Sequence, residues 1–60
     1  MKKFQLKKQF KSYKKGTQFY LIAESEFIGI KEYVIRPLDL TDRIEVSEKE
    51  LNNYFFEVKY

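Results

Sequence analysis

The stretch Val46-Ser47-Glu48-Lys49-Glu50-Leu51 carries the most specific structural signal in the chain, the start of a helix. The Ser47 hydroxyl can accept a hydrogen bond from the amide of Glu50, whose carboxylate can reach back to the Ser47 amide. This reciprocal pattern is a capping box, and Val46 and Leu51 stand where a hydrophobic staple packs across the first turn. The stretch therefore predicts a helix that begins at Glu48.

The residues that follow predict a short helix and then a strand. Asn52-Asn53 is a poor helix interior, and asparagine tolerates the left-handed conformation that ends many helices. We therefore predict one helical turn over Glu48-Asn53. From Tyr54 to Tyr60, aromatic and β-branched residues favour a final strand with Phe55 on its outward side. The same segment also has helical spacing, so a helix that continues to residue 59 is the alternative.

Upstream of the helix, alternating apolar residues predict four further strands. Glycine and proline lie between the apolar runs, where chain reversals are expected. The predicted strands are Lys3–Lys7, Phe19–Ala23, Ile30–Arg36 and Arg43–Val46. The predicted reversals are Lys14-Lys15-Gly16-Thr17, the hairpin connection Phe27-Ile28-Gly29, and the loop after Pro37.

Four strands, one helical turn and a last strand resemble the SH3-like small β-barrel. The stretch Lys15-Gly16-Thr17-Gln18-Phe19-Tyr20-Leu21 is also similar to the opening of KOW-type domains, and the chain resembles the SH3-like accessory subunits of photosynthetic complexes. Glu32 stands where KOW motifs have a small residue, and the tryptophan usual in peptide-binding SH3 domains is absent. The resemblance implies a mostly β fold, a five-stranded SH3-like small barrel spanning residues 1–60 as one domain. It implies no particular activity, because this fold hosts many.

The composition argues against an enzyme. The chain has no cysteine and no histidine, which removes disulfides, zinc sites and the common nucleophile and base pairs. The pairs Glu24 and Glu26, and Asp39 and Asp42, are typical of solvated strand ends and turns. We predict no catalytic residue, no metal or cofactor, and no small-molecule substrate. Without a signal peptide or a long apolar run, a cytoplasmic location is expected.

Charge is distributed unevenly along the chain. Residues 1–15 contain seven lysines and no acid, whereas the remainder contains five basic and nine acidic residues. Such asymmetry indicates an anionic partner, although lysines also protect strand edges and maintain solubility, and a lysine-rich composition is typical of AT-rich coding. The candidate anion- or nucleic-acid-binding residues are Lys2, Lys3, Lys7, Lys8, Lys11, Lys14 and Lys15.

Aromatic residues form the second candidate surface. Six phenylalanines and five tyrosines exceed what a small core can easily enclose, so some rings are expected to face a partner. From their position in the alternation, the candidates are Tyr13, Tyr20, Tyr33 and Phe55. The alternative is that a strongly bent barrel buries these rings between its sheets.

Together these features predict a small non-enzymatic binding module. A protein partner ranks first, which would make the chain a protein-interaction module or an accessory or regulatory subunit. A nucleic-acid-binding protein that uses the lysine-rich N-terminal segment is the alternative. An anionic membrane surface ranks third, because Phe4 would fall on the wrong face of an amphipathic N-terminal helix.

Overall fold

The computed structural model describes residues 2–39 and 42–59. Five antiparallel strands form one sheet that curls into a half-barrel, with a short helix before the last strand. The elements are β1 (Lys3–Leu6), β2 (Gln18–Phe27), β3 (Ile30–Pro37), β4 (Ile44–Ser47), α1 (Glu48–Tyr54) and β5 (Phe55–Val58). The strand order is β4-β3-β2-β1-β5, so α1 connects the two edge strands. The prediction of a mostly β fold with this element order is confirmed.

The helix begins as its sequence predicts. The Ser47 hydroxyl accepts a hydrogen bond from the Glu50 amide at 3.1 Å, and the Glu50 carboxylate accepts one from the Ser47 amide at 3.0 Å. The helix ends at Tyr54, one residue later than predicted, and the backbone of Phe55 is extended at φ −126°. The alternative of a helix continuing to residue 59 is therefore wrong.

Lys7 satisfies the carbonyl groups at the end of α1. Its amide donates to the Tyr54 carbonyl at 2.7 Å, and its Nζ donates to the Asn52 carbonyl at 3.0 Å. A cation is favoured here because the C-terminus of a helix carries partial negative charge. α1 has no basic residue in its own last turn, so the charge comes from the chain after β1.

The core is built around phenylalanine rings. Phe19 packs against Phe55 with ring centroids 5.5 Å apart, and Phe10 packs against Phe55 at 5.6 Å, both edge to face. Edge-to-face contact is the favoured arrangement of two aromatic rings. The buried apolar residues are Phe4, Leu6, Phe10, Phe19, Ile35, Val46, Leu51 and Phe55.

The prediction that the Phe55 ring faces outward is wrong. In the β1–β5 pair, Leu6 lies opposite Phe55 and Gln5 lies opposite Phe56. Residues directly opposite in an antiparallel pair share a face. Phe55 therefore points inward with Leu6 and is 3% exposed, whereas Phe56 is 46% exposed. The predicted alternation was counted from Tyr54, which belongs to the helix.

β2 is much longer than its apolar run predicts, because it continues through Phe27 as the partner of β3. An irregularity between Leu21 and Ala23 shifts the register between these two strands. β1, β3 and β4 begin and end within one residue of their predicted bounds. β5 begins one residue later than predicted and ends at Val58, and the predicted end at Tyr60 lies outside the described residues. The long β2–β3 hairpin is the feature on which the candidate site depends.

Candidate interaction surface

The end of the β2–β3 hairpin projects beyond β1 and β4, and we call this end together with its base, residues 22–32, the finger. β1 pairs with β2 only from Gln18 to Tyr20, and β4 pairs with β3 only from Glu32 to Ile35. Every residue from 22 to 32 is exposed. Beyond the pair of Ser25 and Glu32 the finger is a two-stranded ribbon, whereas its base is still flanked by β4 across β3. The exposed side chains of the finger contribute little to the core.

The tip of the finger is apolar. Phe27 is 76% exposed, Ile28 83% and Ile30 66%. A single exposed apolar side chain is ordinary on a protein surface, but a contiguous apolar group marks an interaction site. These three side chains lie within four consecutive residues at the end of a projecting hairpin, and therefore form such a group.

The turn at the tip has a backbone conformation that is unfavourable for Ile28. Phe27 pairs with Ile30, which leaves Ile28 and Gly29 as the turn residues, with φ of 52° and 75°. Positive φ at both positions is typical of type I′ turns, where Asn-Gly is the preferred pair. A β-branched residue at positive φ is an outlier, and such strain costs about 1–3 kcal/mol. Strain of this kind is concentrated at functional sites.

The stem of the finger is acidic. Glu24, Glu26 and Glu32 are exposed there, and Lys31 is the one basic residue of the finger. The turn before β2 contains Lys14 and Lys15, so the lysine-rich end and the apolar tip lie at opposite ends of this ten-residue strand. At about 3.3 Å per residue the two ends are about 30 Å apart. The molecule is therefore basic at one end of β2 and acidic at the other.

Most of the lysines predicted to bind anions lie on one loop, residues 7–16, which we call the lysine loop. Its neck is closed by two hydrogen bonds of 3.0 Å, from the Leu6 amide to the Thr17 carbonyl and from the Gly16 amide to the Leu6 carbonyl. Phe10 is buried and Tyr13 half-buried, so the loop is anchored by its rings. Its exposed lysines are Lys7, Lys8, Lys11, Lys14 and Lys15.

Several of these lysines contact the protein itself. Besides the bond from Lys7 to α1, the amine of Lys8 lies 4.8 Å from the centre of the Tyr54 ring. The amine of Lys11 lies 5.4 Å from the centre of the Phe10 ring. The amine of Lys3, on β1, lies 5.9 Å from the centre of the Tyr20 ring. Lys2, Lys14 and Lys15 are exposed and make no such contact with any residue in the described part of the chain.

The four aromatic residues predicted to face a partner are largely used by the fold. Tyr13 and Tyr33 are half-buried against the core, and the Tyr13 ring lies 5.1 Å from that of Phe19. Tyr20 is half-buried on the outer face, opposite Lys3, and Phe55 is in the core. Sequence reasoning missed Phe27, Ile28 and Ile30 as a surface, although their place at a hairpin connection was the available signal.

Within residues 2–39 and 42–59, no helix is long and apolar enough to cross a membrane. The same residues contain no group of three or more acidic side chains arranged to hold a metal ion. Comparison of the chain with protein-family models, with curated proteins and with solved structures gives no match.

Proposed function

We propose that this protein is a small non-enzymatic binding module that docks onto a protein partner through the finger. The observation that carries the proposal is the apolar tip. Its side chains Phe27, Ile28 and Ile30 are 76%, 83% and 66% exposed. Full burial of such a side chain contributes about 1.5–3 kcal/mol. The centres of protein interfaces are enriched in aromatic residues and depleted of charge, and the tip has this composition.

The charges around the tip favour a protein partner over a lipid surface. The stem next to the apolar tip carries three glutamates, Glu24, Glu26 and Glu32. An anionic bilayer into which the tip inserted would therefore repel the stem. A protein pocket can present basic side chains at its rim, which complement these glutamates. The finger therefore fits an apolar pocket with a basic rim.

The absence of catalysis is part of the proposal and is supported by the use of the polar side chains. The sequence contains no histidine or cysteine. The Ser47 hydroxyl caps α1, and that of Thr17 donates to the Lys14 carbonyl at 2.7 Å. Hydroxyl groups engaged in this way hold local backbone structure.

Capture of a partner by tagged protein in its native cells tests the proposal. The variant F27S with I30T removes two apolar side chains from the tip, and F56S removes an exposed phenylalanine on β5, outside the finger. We expect the tip variant to lose the captured protein and F56S to retain it, with both variants folded by circular dichroism. Undiminished capture by the tip variant would overturn the proposal.

Nucleic-acid binding through the lysine loop is a second candidate, favoured by the exposed side chains of Lys14 and Lys15 in one turn. If Lys2 joins them, neutralising three phosphates gives a slope of log K against log salt of about −3 for duplex DNA. Changing Lys14 and Lys15 to serine then reduces the slope to about −1. Negligible binding at about 50 mM salt would remove this candidate.

A further inference from the structure

We infer that the free edge of β2, residues 22–27, binds an extended cationic segment of the partner as an added strand. The inference rests on the proposed function and specifies how the finger engages its partner. It concerns the backbone edge of the finger, whereas the proposed function depends on the side chains of its tip.

The edge is open over the length of an ordinary strand. β1 pairs with β2 as far as Tyr20, and one further hydrogen bond joins the Leu21 amide to the Lys2 carbonyl at 2.9 Å. Beyond this point, no strand in the described part of the chain lies on that side of β2. Unpaired N–H and C=O groups along an edge are a template for another strand, and strands commonly have five or six residues.

The side chains along this edge select the charge of the added strand. Glu24 and Glu26 flank Ser25, so their side chains point to the same face of the ribbon. An added strand places one residue directly opposite each of them, and opposite charges in such pairs stabilise the pairing. The fitting segment therefore has lysine or arginine at alternate positions, with an apolar residue opposite Phe27.

The same glutamates disfavour pairing between two copies of this protein. If two β2 edges met antiparallel around Ser25, Glu24 of each copy would lie opposite Glu26 of the other. Like charges directly opposite destabilise a strand pair. The glutamates thus disfavour pairing with a second copy of the protein and favour pairing with a cationic strand. Specific recognition commonly combines such repulsion and attraction.

A titration of the isotope-labelled full chain with synthetic peptides tests the inference. The probe is the capped palindromic peptide Thr-Val-Lys-Thr-Lys-Val-Thr, which presents the same side chains in either strand direction. The matched controls are its glutamate counterpart, Thr-Val-Glu-Thr-Glu-Val-Thr, and a lysine peptide with methylated backbone amides. We expect amide shifts centred on residues 22–27, binding about tenfold tighter than for the glutamate peptide, and loss of binding on methylation.

Charge reversal of the edge by E24K with E26K should reverse the preference between the two peptides. Equal binding of the methylated peptide, shifts centred elsewhere, an unchanged preference in the variant, or dimerisation through residues 22–27 would each overturn the inference. The two proposals can fail separately. Partner capture that depends on Phe27 without peptide binding rejects strand addition alone, and peptide binding without such capture rejects docking through the tip alone.

Discussion

Two residues other than glycine have positive φ in the described part of the chain, Lys11 and Ile28, and the β-branched Ile28 fits this backbone less well. Its φ of 52° favours asparagine in a type I′ turn, so we predict that Ile28→Asn raises the free energy of unfolding by about 0.5–1 kcal/mol. Urea unfolding followed by circular dichroism measures the change. Ile30→Asn is the matched control, because Ile30 is also exposed but belongs to β3, and it should give no gain. If both variants lost the same free energy of unfolding, the backbone at Ile28 would not be strained.

The adjacent residues Phe55 and Phe56 test which side of β5 faces the core. Phe55 is 3% exposed and contacts two core rings, so Phe55→Ala should lower the free energy of unfolding by about 3–5 kcal/mol. A loss of this size would leave so small a domain largely unfolded. Phe56→Ala should cost less than about 1 kcal/mol. Similar losses, measured in the same urea titration, would contradict the register of β1 and β5.

At the scale of single elements, the sequence predicts the start of α1 correctly and its end to within one residue. The capping box and staple lie within six consecutive residues, so the signal is local. What the sequence does not predict is the hydrogen bond from the Lys7 amine to the Asn52 carbonyl, 45 residues away along the chain. Contacts between such distant positions leave no mark in the local pattern.

The capping box should make a measurable contribution to stability. Ser47→Ala removes the acceptor of the Glu50 amide, and we predict a loss of about 1 kcal/mol in the free energy of unfolding. Ser25→Ala, on the exposed stem of the finger, is the control and should change it by less than about 0.5 kcal/mol. The pair is compared by thermal and urea unfolding. Equal free energies of unfolding for the two variants would show that the capping box does not stabilise the protein.

The extent of the β2–β3 hairpin also lay beyond local prediction. The segment from Glu24 to Glu26 is polar and acidic, and it is extended because β3 pairs with it residue by residue. The tip becomes a surface because β1 and β4 end earlier, which depends on the whole sheet. The predicted aromatic surface failed at Phe55 for a related reason, since the helix boundary sets the alternation of β5.

At the scale of the whole molecule, the charge asymmetry could be predicted from the sequence. The fold places the basic and acidic residues at opposite ends of β2. The lysine loop lies at the start of β2 and the acidic finger at its end. One long strand thus separates a basic surface from an acidic one with an apolar tip. Separate surfaces allow the lysine loop and the finger to be altered independently.

The central claim is that the apolar tip of the finger is where the protein meets its partner. The most direct test replaces Phe27 with the photoreactive analogue p-benzoylphenylalanine and irradiates cells that contain the protein at its native level. The same analogue in place of Phe56 is the matched control. We predict a discrete cross-linked protein from position 27 and little from position 56. No adduct from position 27, or an equal yield of the same adduct from position 56, would contradict the claim.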